Sequence, residues 1–182
     1  MKILLSSLLV LLLVSCGGTD KPDNITPVQS FDAQRYLGNW YEIARLDHKF
    51  ERGLSHVTAE YSLRNDGGIK VVNKGYSQKE GEWNTAEGKA YFVKDKNTGF
   101  LKVSFWGPFY SSYVVFELDS HYQYALVSGE NKKYFWILSR QAQMEEAQYN
   151  QLVEKARALG FDTTKLVKVD HSIIATEQLT RN

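Results

Sequence analysis

Cysteine is nearly missing from this chain: among 182 residues it occurs once, at Cys16. No intrachain disulfide can form, so the fold must hold by its core alone. Excess charge is missing too. The formal net charge is +1, and the first fifteen residues hold one Lys and no acid, which leaves the rest close to neutral. A chain so balanced has no electrostatic footprint for nucleic acid. The four histidines, His48, His56, His121 and His171, show no metal-ligand spacing such as H-E-x-x-H. There is no G-x-S-x-G nucleophile elbow. Nothing in these patterns points to a metal, another cofactor or an enzyme.

Residues 3–14 are almost wholly apolar, with only Ser6 and Ser7 interrupting. The run is roughly half the length that spans a bilayer as a helix. With Met1 and Lys2 before it, residues 1–15 read as a secretory signal. Leu13-Val14-Ser15-Cys16 closes the run and looks like a bacterial lipobox. The chemistry needs Cys, because its thiol becomes a diacylglyceryl thioether and cleavage before it frees an amine for a further acyl chain. Two or more chains make anchoring stable, at about 0.8 kcal/mol per buried CH₂. An ordinary export signal with a chance Cys is the alternative. Gly17 stands where an Asp would signal inner-membrane retention, so a lipid anchor in the outer membrane is expected, in a leaflet the sequence does not reveal. Residues 16–30, with Gly, Thr, Asp, Lys and two Pro, read as the lipidated N-terminus and a flexible tether. Residues 31–182 form the folded domain.

Aromatics are plentiful, with 11 Tyr, 9 Phe and 4 Trp, and they favour strands and broad apolar walls. Val57, Ala59, Tyr61 and Leu63 alternate with His56, Thr58, Glu60 and Ser62, the period of a half-buried strand. Asn65-Asp66-Gly67-Gly68 signals a hairpin. Ile69 and Val71 flank Lys70, while Leu101, Val103 and Phe105 alternate with Lys102 and Ser104. Further strands are expected near 40–47, 88–94, 112–118, 122–128 and 133–139, for eight in all. Residues 113–118 and 134–138 are apolar on both faces and need cover outside the sheet. One cover is a helix expected over 143–159, with Leu152, Ala156 and Leu159 on one stripe and Gly160 as its stop. A homodimer interface is the other. Val167 and Val169 suggest a short closing strand. Eight strands with short links suit an up-and-down barrel able to hold one small ligand, and pattern alone suits a sandwich nearly as well.

Gly38-Asn39-Trp40-Tyr41 resembles the lipocalin G-x-W signature. The longer run from Tyr36 to Arg45 is similar to the bacterial lipocalins and their close animal relative, apolipoprotein D. Phe50-Glu51-Arg52-Gly53-Leu54, the stretch from Lys102 to Tyr110, and Trp136-Ile137-Leu138-Ser139-Arg140 extend the match in collinear order. One departure stands out: the middle signature, usually Thr-Asp-Tyr, reads Asp119-Ser120-His121-Tyr122. The resemblance implies an all-β fold, an eight-stranded up-and-down antiparallel barrel with one C-terminal α-helix packed outside. It also implies structural roles for Gly38, Trp40 and Arg140, with the Arg lying across the indole at the closed end.

Alternation then phases the wall. With Trp40 inward, Glu42 and Ala44 follow, and Val57 leads the next strand. The expected ligand contacts are Ala59 and Tyr61, then Ile69, Val71 and Asn73, then Val103 and Phe105. Val114, Phe116, Tyr134 and Trp136 complete the set. Each is either a ligand contact or core filling. Glu42, Tyr61, Asn73 and Tyr134 are polar and need a partner, from a neighbouring side chain or from a ligand headgroup. Loops 47–54, 76–86, 107–112 and 129–132 are expected to build the mouth, where Phe109 and Tyr110 either guide a lipid inward or pack on a partner subunit. No expected wall residue is an axial ligand for haem. The resemblance implies fatty acids or lysophospholipids as ligands, membrane attachment through Cys16, and lipid storage, transport or envelope repair. A scaffold with a filled barrel is the alternative, and a lipocalin-type enzyme the third reading.

Overall fold

A computed structural model describes residues 19–172. After a single helical turn, α1 (Ala33–Tyr36), the chain lays down β1 (Gly38–Leu46), β2 (Leu54–Leu63), β3 (Ile69–Ser77) and β4 (Glu82–Phe92). β5 (Phe100–Trp106), β6 (Phe109–Leu118), β7 (Tyr124–Ser128) and β8 (Phe135–Ser139) follow, then helix α2 (Glu146–Ala158) and a short β9 (Leu166–Lys168). Consecutive strands pair antiparallel from β1 to β8, and β8 returns to β1. That last pairing closes an eight-stranded up-and-down barrel and removes the free edges a sandwich would keep. The expected barrel with one helix outside is therefore the observed fold.

Closure is complete at one end and patched at the other. β1 pairs with β2 only over Gly38–Tyr41. Beyond that β2 bulges between Ser55 and Thr58 and peels away. β9 fills the vacated edge, with Ala44, Arg45 and Leu46 opposite Lys168, Val167 and Leu166. The His56 amide donates to Asp170 O at 2.8 Å across this seam.

Two apolar layers result. The inner one gathers Trp40, Tyr61, Ile69, Val71, Leu101 and Val115 with their neighbours. The outer one lies under α2, where Tyr149, Leu152, Val153 and Ala156 cover Phe100, Val114, Phe116, Leu126, Phe135 and Ile137. The helix thus supplies the cover that the doubly apolar strands required.

Three boundaries differ from expectation. β4 starts at Glu82, not near 88, and its polar first half pairs residue by residue with β3. Those exposed residues carry no apolar alternation, so only the partner backbone makes them a strand. β6 starts at Phe109, which shrinks the 107–112 loop to Gly107 and Pro108. Residues 19–30 do not hang free as a tether. Ile25 is fully buried in the outer layer, the Val28 amide donates to Val115 O, and Val28 O accepts from the Gly99 amide, both at 2.9 Å. The residue types are those of a linker, yet two backbone hydrogen bonds and one buried Ile strap the segment to the wall. The expected signal, Cys16 and Gly17 lie outside the described residues.

Candidate functional site

The closed end is built around Trp40. Its indole is fully buried, and Nε1 donates to Tyr36 O at 2.8 Å. The Arg140 guanidinium lies over the ring, 4.0 Å from its centre. It also donates to Asn39 O and Arg35 O, both at 2.8 Å, and to Tyr122 O at 3.3 Å. Gly38 holds a φ of +89°, and a Cβ there would sit 3.5 Å from Arg140 Nη1. Glycine serves here because that backbone strains other residues. Gly38, Trp40 and Arg140 form one structural plug below the lumen. Despite its departure from the usual signature, the 119–122 turn serves this end: Asp119 Oδ2 accepts from the amides of His121 and Gln123, and Tyr122 Oη accepts from the Asp32 amide.

A tyrosine bridge packs against the plug. Tyr113 Oη is 2.7 Å from Tyr36 Oη and 2.8 Å from Tyr61 Oη, so three phenols link α1, β6 and β2 across the barrel. Burial pushes all three phenols above their ordinary range, which keeps them protonated. The bridge packs directly against the plug, with the Tyr36 and Trp40 rings 4.7 Å apart, and the two together form the floor of any cup. From Tyr113 to Phe109, β6 continues about 13 Å toward the open end.

The inward wall is apolar. Ala59, Ile69, Val71, Val103 and Phe105 face inward with Tyr61, as expected, and Trp136 joins them from β8. Ala59, Val103, Phe105 and Trp136 remain only half-buried, so their inward faces meet open space. Facing Asn73 and Val71, β4 contributes Ala86 and Gly88, which take up little room. A Cβ on Gly88 would come within 2.8 Å of Phe105, so its bareness lets that ring lie flat on the wall. Two surface clefts, of about 360 and 540 Å³, lie outside the lumen and do not measure it.

Val114 and Phe116 are corrections. Both belong to the outer layer, where the Phe116 ring stacks on Phe161 at 5.6 Å. Counting back from the β5–β6 turn pairs Val103 with Ser112, which would send Val114 and Phe116 inward. A register shift between Val103 and Trp106 pairs Val103 with Ser111 instead. A one-residue slip turns every following side chain over, so Tyr113 and Val115 line the lumen. A second bulge, between Glu42 and Ala44, does the same to β1. Ala44 turns to the outer layer, and Arg45 takes the inward place opposite Trp136.

That second bulge creates a charged cluster on the apolar wall. Arg45 Nη1 lies 2.7 Å from Glu42 Oε1, with both side chains almost fully buried. Arg45 Nη2 donates to Glu51 O at 2.7 Å and Leu54 O at 3.2 Å, pinning the β1–β2 loop over the mouth. Glu51 Oε2 accepts from Trp136 Nε1 at 3.0 Å and lies 3.0 Å from His48 Nε2. Tyr134 stacks on Trp136 at 6.3 Å, which places it at the rim. Burial and the Glu51 carboxylate push the Glu42 carboxyl up, against the pull of Arg45. Burial also raises Glu51, but His48, Trp136 and Arg45 outweigh it and hold that carboxyl low. Among the described residues, Arg45 Nε and Asn73 Oδ1 are buried without a hydrogen-bond partner. Of the polar residues in question, Glu42 and Tyr61 are thus satisfied by neighbours and Asn73 Oδ1 is not. Arg45, His48, Glu51 and Tyr113 were not expected at the site; only the bulges and the folded loop bring them there.

Comparison with known proteins agrees with this geometry. A family profile described as a lipocalin-like domain matches residues 31–171. The outer membrane lipoprotein Blc of Vibrio cholerae is 57% identical over 159 residues, covering 87% of this chain and 92% of its own. The Blc protein of Escherichia coli K12 is 50% identical, covering 87% and 89%. Mouse apolipoprotein D is a more distant relative, 31% identical with 80% of each chain covered. Among solved structures, the cockroach major allergen Per a 4 shares the fold with a TM-score of 0.65 at 19% identity, over 84% of this chain and 95% of its own. The relatives agree with the expected lipid-anchored placement in the outer membrane. A closed barrel plugged by Trp40 and Arg140, together with a family match over residues 31–171 and relatives that cover up to 87% of the chain, places the chain in the lipocalin-like family.

Proposed function

We propose that the barrel holds a single-chain amphiphile, a fatty acid or lysophospholipid, with its tail on the apolar wall and its headgroup at the rim. One observation carries this reading: a charged cluster, Arg45 with Glu42, Glu51 and His48, sits at the mouth side of an otherwise apolar cup. A tail finds dry surface below, while an anionic group of the head finds a donor in Arg45 Nε and a hydroxyl of the head finds an acceptor in Asn73 Oδ1. A tail that leaves about ten CH₂ groups in the cup gains on the order of 8 kcal/mol gross. Ordering the chain offsets part of that, which leaves micromolar affinity or better. Binding, storage and transfer of envelope lipid follow, rather than catalysis. The membrane attachment is assigned to a diacylglyceryl thioether on Cys16.

The experiment is native mass spectrometry of the protein extracted from its own membranes, followed by titration of delipidated protein with lysophospholipid. A bound lipid mass and saturable quenching of Trp136 fluorescence are expected. The tyrosine bridge favours a second reading, a scaffold whose barrel is filled. It gains if no lipid copurifies and the titration is flat.

A further inference from the structure

The strapped N-terminal segment and the exposed aromatics meet at the same end of the barrel. Ser112 Oγ, on the outer face of β6, donates to Asp20 O. From the closed end, where Val28 is held by Val115 and Gly99, the segment therefore runs up the wall toward the mouth. Asp20 lies four chain steps from Cys16, and such a stretch extends about 14 Å at most. From Ser112 the mouth tip at Phe109 is three residues away, about 10 Å, and the far end of β6 at Leu118 is six residues away, about 20 Å. A lipid on Cys16 reaches the level of the mouth and falls short of the closed end.

The mouth carries the surface that such an anchor needs. Trp106 and Phe109, flanking the β5–β6 turn, are each 78% exposed; Phe50 on the β1–β2 loop is 65% exposed and Trp83 at the start of β4 is 54% exposed. The loops beside them, 47–53, 78–82 and 129–134, hold five Lys or Arg and five Asp or Glu, so their formal charge cancels. Indole and phenyl rings on a neutral rim suit the bilayer interface, where aromatic rings sit at headgroup level. They do not depend on anionic lipid.

We infer that the protein stands mouth-down, with Trp106, Phe109, Phe50 and Trp83 seated in the bilayer interface and the cup opening directly onto the lipid. This orientation rests on the Cys16 anchor proposed above. It lets a single-chain lipid pass between leaflet and lumen without crossing water.

The test uses the full lipidated chain in phosphatidylcholine vesicles whose acyl chains carry bromine near the glycerol. Intact mass first establishes the thioether; a chain lacking that lipid mass overturns the anchor and this orientation together. In the lipidated chain, bromine is expected to quench tryptophan emission, equally at low and high salt. Trp106→Phe should lose part of that quenching, and Trp106→Phe combined with Trp83→Phe most of it. A Leu63→Trp substitution in the Trp106→Phe/Trp83→Phe background puts an indole at the exposed closed end, and it should be quenched by aqueous iodide and not by bromine. The orientation alone is overturned if the position-63 indole is the one bromine reaches, or if iodide quenches Trp106 and bromine does not. It is equally overturned if Trp106 is shielded from both quenchers as protein density rises, since a second copy would then cover the rim.

Discussion

Arg140 lies flat over Trp40 at 4.0 Å and uses the rest of its fork to bind three carbonyls from three separate segments. The pair ties α1, β1 and the 119–122 turn into one unit. Arg140→Ala removes a cation–π contact of about 0.5–2 kcal/mol and leaves those carbonyls short of a donor, for a total near 2–3 kcal/mol. Arg140→Lys should recover only part, because an ammonium lacks the planar fork. Urea denaturation measures the loss. Affinity for lysophospholipid should not change, because Arg140 lies at the exposed closed end, where it binds Asn39 O and Arg35 O.

The Arg45 and Glu42 side chains are buried together, so removing one strands the other. Arg45→Met should destabilise by about 3–5 kcal/mol at neutral pH. The deficit should shrink as pH falls. Burial already holds the Glu42 carboxyl above its ordinary value, and without Arg45 it is higher still, so acid neutralises the stranded charge. Lysophospholipid affinity should fall roughly tenfold, about 1.4 kcal/mol. Denaturation curves at pH 8 and pH 5 together with a fluorescence titration test both halves; a deficit that grows in acid refutes the first.

Val115 and Phe116 are chain neighbours on opposite faces of β6. On the inward face, Ser111 sits opposite Val103, two residues mouthward of Tyr113, so Ser111→Trp places an indole in the cup and should abolish lipid binding. Phe116→Ala opens a hole beneath α2, costs about 3–5 kcal/mol, and should leave binding intact in the protein that remains folded. Reversed phenotypes would return Val114 and Phe116 to the lumen.

His171 closes the seam between β1 and β2, with Nε2 2.9 Å from Glu42 O and its ring 6.0 Å from that of His56. Burial, reinforced by His56, lowers its pKa against the pull of Glu42 O and the Asp170 carboxylate. A His depressed in the folded state takes up its proton more readily when unfolded. Its contribution is therefore complete above the ordinary value near 6.5 and fades as pH falls from there toward the folded pKa. The urea midpoint should drop between pH 7 and pH 5, and His171→Gln should flatten that part of the profile. An unchanged slope in the variant assigns the acid sensitivity elsewhere.

Much of the fold was legible because its signals are local. Alternation at 57–63, the Asn65–Gly68 turn and the G-x-W run each lie within a few residues, and a period of two needs no partner to be read. The inward faces of β2, β3 and β5 followed at once, since one side of each strand was clearly apolar. β6 resisted because both of its faces are apolar, so its phase rests on register alone. The first half of β4 resisted for the opposite reason: Glu82-Trp83-Asn84-Thr85-Ala86-Glu87 has no apolar period, and β3 supplies the backbone partners that make it a strand.

The sequence by itself determined the strand pattern, a late helix and, through the G-x-W resemblance, a barrel with a plug on Trp40 and Arg140, and it put one cysteine where a lipobox leads an anchor to be expected. Tertiary structure alone decided which way β6 and the second half of β1 face and where the floor of the cup lies. It also put Arg45, His48 and Glu51 around one mouth and strapped residues 19–30 to the wall. The physical reason is that each of these depends on a register shift or a long-range contact. A bulge of one residue is invisible in composition, yet it moves an arginine into the lumen and a phenylalanine out of it.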